Sequence, residues 1–193
     1  MEEREQAYLT ALDELNVIML EVYYSADPKQ RVKTVTDELF SILVEAYLLG
    51  IDHASDMMKS FLVVDQERME SAVYAVIEGE TFVDRAENHV RNGDVAALQT
   101  LAESEYHRVY NTAVNDGVTE YIRETGAVVE KVWLTVGDDR VRDTHEDLAG
   151  VSVGVNDRFY TFDGDSALFP GGFANPENNV NCRCWLEYRR VNS

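Results

Sequence analysis

Apolar residues recur at intervals of three and four positions through the first two thirds of the chain. This spacing places them on one face of an α-helix and leaves the other face polar. Pro28 stops the first such segment, and Gly93 and Gly126 stand where glycine commonly ends a helix. Asp94 is a suitable N-cap for the last one. The pattern predicts four helices, over residues 4–24, 32–52, 66–93 and 94–126.

Beyond residue 126 the apolar stretches become short and rich in β-branched and aromatic residues, which is typical of strands. The pattern predicts strands at residues 127–136, 151–155, 158–162 and 182–190. Residues 139–150 are predicted as a short helix, with Asp138 or Asp139 near its start and Gly150 at its end. The predicted fold class is α+β: long N-terminal helices followed by a small C-terminal antiparallel sheet with a short helix.

Composition and charge narrow the function classes. The chain has 193 residues, 45% of them hydrophobic, which suits one domain with a buried core. Its formal net charge of -19 repels DNA phosphates, so we expect no direct DNA binding outside the context of a larger particle. No apolar run approaches the roughly 20 residues that span a bilayer, and the acidic start is unlike a signal peptide. We therefore expect no membrane partner, and synthesis in a reducing cytoplasm.

The candidate chemistry lies near the end of the sequence. Cys182 and Cys184 are its only cysteines, and in a strand they would face one side, with Arg183 on the other. A helix carrying His145 against that strand would bring an imidazole to two thiols, and zinc takes ligands of both types. However, a fourth ligand is not evident, because the other histidines, His53, His89 and His107, lie in the predicted helical part. Cysteine also packs as a small hydrophobe, so we favour two buried core cysteines without a metal.

Acidic and basic side chains alternate just before His145. In a helix, Asp139, Arg142 and His145 would lie close to one stripe. A metal-dependent hydrolase could use Asp139 as its base, whereas an intramolecular latch would use the arginines to bind carboxylates or carbonyls of a following loop. The sequence has no phosphate loop, dinucleotide fingerprint or Gly-x-Ser-x-Gly motif. We favour the latch and predict no catalytic residue.

Three ordered stretches carry a resemblance to a known family: KVWLTVGDDRVRDTHEDLAG, then an aromatic-bearing stretch, then NPENNVNCRCWL. This order resembles that of the phage Mu F-like minor head proteins, which include minor head proteins of many tailed phages of Gram-positive bacteria. The preceding stretch ESEYHRVYNTAVNDG is similar to a helix of that family, with Glu105, Arg108 and Asn111 in matching places. The resemblance covers about residues 76–190. Its positions are Trp133, Thr135, Asp139, Arg140, Val141, Arg142, His145, Leu148, Gly150, Asn181, Cys182, Arg183 and Cys184.

The resemblance implies a structural protein of the virion that is not an enzyme. It implies a minor head protein that binds the portal protein inside the capsid, near the portal vertex, and acts in head assembly, DNA packaging or genome delivery. Scaffold and major capsid proteins are further implied partners, and assembly takes place in the host cytoplasm. Residues 76–193 would form the family domain, with residues 1–75 as a helical N-terminal extension.

Within this domain we predict a structural latch that clamps the last strand against the sheet. Arg142, His145 and the Asp139 carboxylate would hydrogen-bond to that strand, with the cysteines packed beneath. No cofactor is expected; the alternative is zinc on His145, Cys182 and Cys184. The predicted latch residues are Trp133, Thr135, Asp139, Arg140, Arg142, His145, Gly150, Asn181, Cys182, Arg183 and Cys184.

Two other function classes stay open beside the structural one. The first is the metal-dependent hydrolase described above. The second is a toxin-associated protein, because the family domain is also found joined to toxin modules. The chain stops nine residues after Cys184, so we expect no such module to be attached.

Overall fold

The computed structural model describes residues 2–191, except for the side chains of residues 2–9 and 13. The described residues form six α-helices: α1 (Glu2–Ser25), α2 (Arg31–Met58), α3 (Gln66–Val73), α4 (Phe82–Asn92), α5 (Val95–Thr125) and α6 (Asp143–Glu146). They also form five strands: β1 (Val129–Leu134), β2 (Ser152–Gly154), β3 (Phe159–Tyr160), β4 (Ser166–Ala167) and β5 (Trp185–Arg190). The predicted α+β class, with long helices followed by a small antiparallel sheet, is confirmed.

Helices α2 and α5 pack closely because two glycines remove the side chains between them. A Cβ atom added to Gly50 of α2 would lie 2.6 Å from both the Ala113 Cβ and the Tyr110 carbonyl oxygen of α5. A Cβ atom on Gly117 of α5 would lie 2.6 Å from the Ala54 Cβ of α2. The two helices therefore approach at a distance that only glycine permits at these positions.

The predicted helix over residues 66–93 is wrong in one respect, because it is two helices joined by a tight turn. Ile77 and Glu80 exchange backbone hydrogen bonds of 2.9 and 3.0 Å across Glu78 and Gly79, which both have positive φ. Thr81 then begins α4 with a capping box that involves Asp84. The helical periodicity continues on both sides of this turn, which is why the pattern alone joins them.

One hydrophobic core runs through the helical part and into the small sheet. Leu15 of α1, Leu43 of α2 and Trp133 of β1 all belong to it. The predicted boundary between the two domains, at residues 75 and 76, falls in the segment that joins α3 to α4. The outer ends of the two predicted domains, residue 1 and residues 192–193, lie outside the described part. None of the helices in the described part is both long and apolar enough to cross a bilayer.

The small sheet has three antiparallel strands in the order β2-β1-β5, and β3 and β4 form a separate two-stranded hairpin. Leu134 of β1 pairs with Trp185 of β5, so the ladder begins at Trp185 and not at residue 182 as the sequence predicts. On the inner side, the Tyr188 hydroxyl of β5 donates a hydrogen bond of 3.3 Å to Asn115 of α5. This contact joins the sheet to the longest helix.

Lys131 of β1 is fully buried and holds the loops around the sheet. Its ammonium group donates to the carbonyl oxygens of Val155 and Leu168, at 2.7 and 2.8 Å. Burial lowers the pKa of Lys131 from 10.5 to about 8, and the nearby Asp157 carboxylate only partly opposes this effect. A buried cation bound by two carbonyls therefore connects β1 to residues on both sides of the β3–β4 hairpin.

Candidate functional site

Helix α6 is only four residues long, and the segment before it is not helical. Asp138 accepts a hydrogen bond of 3.1 Å from the backbone N–H of Arg140, and Arg142 has an extended backbone with φ -73° and ψ 149°. A short acidic side chain that binds a nearby backbone N–H competes with helix formation. The predicted helical stripe of Asp139, Arg142 and His145 is therefore wrong, since only His145 lies in the helix.

Arg142 connects the start of α6 to the chain that precedes β5. Its guanidinium group donates to the Asn178 carbonyl oxygen at 2.9 Å and also to the Val180 carbonyl oxygen. Thr144 of α6 adds a hydrogen bond of 3.1 Å to the Asn178 side chain. These contacts have the form that the sequence predicts for the latch, in which an arginine fork binds carbonyl groups of a later loop.

The carboxylate that contacts the cysteine-bearing segment belongs to Asp138. Its two oxygens accept hydrogen bonds of 2.8 and 2.6 Å from the Arg183 guanidinium group, which lower the pKa of Asp138 to about 2. Asp139 is exposed and makes no hydrogen bond within the described part of the chain. The role expected of Asp139 is therefore filled by the residue before it, because the chain turns at Asp138 and does not continue as a helix.

The imidazole of His145 lies against both cysteines. Its Nδ1 atom is 3.5 Å from the Cys182 sulfur and 3.4 Å from the Cys184 sulfur. The three ligand-type atoms lie within 4.8 Å of one another. The exposed fractions of the three residues are 1%, 6% and 3%, so the cluster is closed to solvent. The structure thus brings together the three residues that the sequence singled out.

Aromatic rings fix the orientation of the His145 imidazole. Trp133 meets it edge to face with ring centroids 5.4 Å apart, and Phe173 stacks on it at 5.2 Å. The Nε2 atom of His145 is buried without a hydrogen-bond partner among the described residues. The ring is therefore held by packing, and its Nδ1 atom is directed at the two sulfur atoms.

A second histidine reaches the cluster from α5. His107 is 2% exposed and forms an electrostatic contact with the Cys182 thiol. The pKa of Cys182 is lowered because Cys184 donates a hydrogen bond to it, with smaller contributions from His107 and His145. The pKa of Cys184 is raised by the same partner and by burial. The sequence did not indicate His107 as a ligand, because it lies in the predicted helical part, far along the chain from the cysteines.

The glycine-rich loop that follows β4 closes over this histidine. Gly171 has φ +86°, and a Cβ atom at that position would lie 3.2 Å from the His107 Cδ2 atom. Asn179 then holds the loop through two hydrogen bonds to the Phe173 backbone, of 3.0 and 2.8 Å. Asn179 is a positioning residue that sequence analysis missed, since it places the ring that stacks on His145.

The other predicted latch residues surround the cluster without touching it. Gly150, with φ 82°, donates its N–H to the Trp133 carbonyl oxygen at 2.8 Å. Arg140 is largely exposed and lies 3.5 Å from Asp138. Asn181 has a positive φ of 55° just before Cys182, and Thr135 is half-buried after β1. Of these four residues, Gly150 and Asn181 turn the backbone next to the cluster through their positive φ angles.

The helix residues of the resemblance form a buried ionic group. Glu105 of α5 is 2% exposed and binds Arg85 of α4 at 3.0 Å and Arg108 at 2.7 Å. The Asn111 side chain donates to the His107 carbonyl oxygen at 2.8 Å. A buried carboxylate with two arginine partners therefore joins α4 to α5.

Comparisons with known proteins gave a family match and a curated relative. One curated relative, named "NAD(+)--arginine ADP-ribosyltransferase EFV" and found in Enterococcus faecalis, is 25% identical over 169 residues. That match covers 84% of this chain but only 34% of the relative, so the chain spans about a third of the relative's length. No solved structure matches the chain at a significant level. The sequence model for "Phage Mu protein F like protein" matches residues 67–187, and the chain therefore belongs to the phage Mu F-like family.

Proposed function

We propose that this chain is a minor head protein of a tailed phage, which joins the virion at the portal vertex during head assembly. Membership of the phage Mu F-like family supports association with a virion. The fold gives further support, because the long helices and the small sheet share one hydrophobic core. Such a body can present a fixed surface to neighbouring proteins of the virion. The portal protein is the proposed main partner, with scaffold or major capsid protein as further partners.

The burial of the reactive side chains is the observation that carries the structural role. His145, Cys182 and Cys184 are each at most 6% exposed, and aromatic rings pack against the imidazole. A substrate cannot reach these groups without local unfolding. Because Asp138 binds Arg183 and the Asp139 carboxylate is directed to solvent, neither carboxylate is placed as a base beside the cluster. The arrangement therefore supports a structural role for this chain and argues against a metal-dependent hydrolase.

The net charge of -19 places a condition on this role. An acidic protein beside packaged DNA is repelled by the phosphates, so it is retained by protein contacts. We therefore expect association with the portal protein and weak retention on duplex DNA at physiological salt. Tight, salt-sensitive binding to DNA would contradict the proposed mode of retention.

Co-expression with the portal protein of the same phage tests the proposal. The portal protein should co-purify with the full chain, and a soluble, folded portal protein that fails to do so would overturn the proposed role. Two exposed apolar pairs allow the contact surface to be located. Phe61 and Val63 follow α2 and are 89% and 72% exposed, and Tyr160 and Phe162 lie on and after β3 and are 71% and 67% exposed. Two double variants, one with aspartate at Phe61 and Val63 and one with aspartate at Tyr160 and Phe162, are compared. The pair that lies on the contact surface should reduce co-purification, and the other pair then serves as the matched control.

The curated relative supports a second candidate, in which the chain is a toxin-associated member of the family. The relative carries the name of an arginine ADP-ribosyltransferase, and this chain matches about a third of its length. An assay for transfer of ADP-ribose from NAD to an arginine-rich acceptor separates the two candidates. We expect no transfer by this chain, and transfer that is lost with an active-site competitor of NAD would favour the second candidate.

A further inference from the structure

We propose that His145, Cys182 and Cys184 bind one Zn²⁺ ion, and that His107 of α5 supplies the fourth ligand. This Cys₂His₂ centre has a structural role and does not depend on the virion role proposed above. It would connect three separate elements: α5, α6 and the segment that leads into β5.

The distances around His145 match those of a tetrahedral zinc site. Zinc binds sulfur at about 2.3 Å and histidine nitrogen at about 2.0 Å, so two such ligands at a tetrahedral angle lie about 3.5 Å apart. The Nδ1 atom of His145 lies 3.5 Å from one sulfur and 3.4 Å from the other. A single N–H group cannot be directed well at two acceptors, whereas a nitrogen lone pair directed between two sulfur atoms suits a shared cation.

The charge of the cluster also favours a divalent cation. Two thiolates and two neutral imidazoles around Zn²⁺ have a net charge of zero, which is the condition for burial at low cost. Both thiols and both imidazoles are nearly inaccessible to solvent, with exposed fractions between 1% and 6%. Zinc therefore accounts for the burial of two imidazoles beside two thiols.

His107 is the residue placed to complete the coordination. It is buried on α5 beneath the Gly171 loop and interacts electrostatically with the Cys182 thiol, while the His145 Nδ1 atom lies 3.5 and 3.4 Å from the two sulfur atoms. Its ring nitrogens are not within 4.8 Å of all three other ligand atoms in this structure, so coordination requires a rotation of the His107 side chain. The Asn111 side chain donates to the His107 carbonyl oxygen at 2.8 Å, which fixes the turn of α5 that carries the ring.

Elemental analysis of the full chain, purified without a histidine tag, gives the first test. We expect one zinc per chain that survives dialysis and is released when the protein is denatured. X-ray absorption of the zinc-bound protein should give two sulfur ligands at about 2.3 Å and two imidazoles at about 2.0 Å. Metal-free protein that fails to bind added Zn²⁺ would overturn the proposal, as would a disulfide between Cys182 and Cys184 in protein handled under reducing conditions.

Variants then separate the three-residue cluster from the fourth ligand. Cys184→Ser should abolish stoichiometric binding. His107→Ala should weaken it by more than about 100-fold, since even groups that only support a metal ligand contribute about 10- to 100-fold. His89→Ala is the matched control, because His89 lies in the last turn of α4, away from the cluster, and it should leave zinc affinity unchanged.

Cobalt(II) substitution in the unaltered chain keeps the test valid if a variant fails to fold. A four-coordinate site with two thiolates should give intense visible d–d bands and sulfur-to-cobalt charge-transfer bands. A six-coordinate spectrum, or binding by His107→Ala that equals the control, would overturn the assignment of His107 as a ligand.

Discussion

The helical region and the small sheet region of this protein are stabilised in different ways. In the helical region, apolar residues of α2 such as Val35, Leu39 and Leu43 are completely buried at helical spacing. In the sheet region, strands of two to six residues are connected by side chains that bind backbone carbonyls, as Arg142 and Lys131 do. The first region depends mainly on apolar contacts between long helices, with the Glu105 ion pairs added to them. The second depends on one aromatic cluster around Trp133 and on a few hydrogen bonds that are specific in type and direction.

This difference explains where substitutions should be tolerated. A buried leucine in the helical region can be replaced by another apolar side chain of similar volume at modest cost. Replacing a buried cation in the sheet region leaves two carbonyl groups without donors, and no apolar side chain restores those bonds. Four predictions test this contrast, in order of decreasing effect.

The largest effect is expected for Trp133→Ala. Trp133 is fully buried and contacts the rings of His145, Phe159 and Phe173, so its removal should lower the free energy of unfolding by about 4 kcal/mol. Urea denaturation followed by circular dichroism measures the change. Trp185→Ala is the control, since Trp185 is only half-buried and should cost less. An equal loss in both variants would contradict the central position given to Trp133.

The second prediction concerns the pH dependence that Lys131 imposes. Its pKa is about 8 in the folded protein, against 10.5 as the ordinary value, so the unfolded chain holds the proton more tightly. The free energy of unfolding should therefore rise as pH increases from 8 to 10.5, by about 3 kcal/mol relative to Lys131→Met. Urea denaturation of both chains across this range gives the difference, in which the other titrating groups cancel. A difference that is constant with pH would refute the prediction.

The third prediction concerns the close approach of helices α2 and α5 at Gly50. Gly50→Ala places a methyl group 2.6 Å from the backbone of α5, and we expect a loss of about 2 kcal/mol despite the better helix propensity of alanine. Leu49→Ala is the neighbouring control, because Leu49 lies next to Gly50 on the same helix and is 45% exposed. Thermal denaturation compares the two, and an unchanged Gly50 variant would show that α2 and α5 can move apart without cost.

The smallest effect is expected for Arg142→Lys. Lysine keeps the charge but cannot bind the Asn178 and Val180 carbonyls with two N–H groups of one plane, so the loss should be about 1 to 2 kcal/mol. Arg140→Lys provides the control, since the Arg140 side chain is 75% exposed. Proteolysis within residues 175–181 would detect local opening even if global stability changes little. Equal protection in both variants would contradict a holding role for Arg142.

Much of the fold follows from residue patterns, because helix periodicity and caps are local. Helix α5 begins after Asp94 and ends before Gly126, as the sequence predicts. The turn at Glu78 and Gly79 was missed, because helical spacing resumes directly after it and glutamate seldom adopts a positive φ. Local sequence signals thus predict where a helix begins and ends, but they predict poorly a turn that divides two helices of similar periodicity.

The candidate site was predictable only in part. The pairing of His145 with Cys182 and Cys184 could be anticipated, since alternate positions of an extended segment face one side. The approach of His107 could not, because it depends on how α5 packs against a segment far along the chain. The sequence also predicted Asp139, and not Asp138, as the carboxylate that binds the last segment. The turn before α6 decides which of the two neighbouring carboxylates reaches Arg183.

The position of β5 in the sheet has a consequence for synthesis on the ribosome. Tyr188 hydrogen-bonds to Asn115, which is 73 residues earlier in the sequence. His145 contacts the sulfur atoms of residues that lie 37 and 39 positions later. Helices α1 to α5 can pack while the nascent chain is still growing, whereas β1 lacks one neighbouring strand until residues 185–190 have left the exit tunnel. Translational pausing before that point would leave an open sheet edge on β1, and this edge is the surface through which the unfinished chain would aggregate.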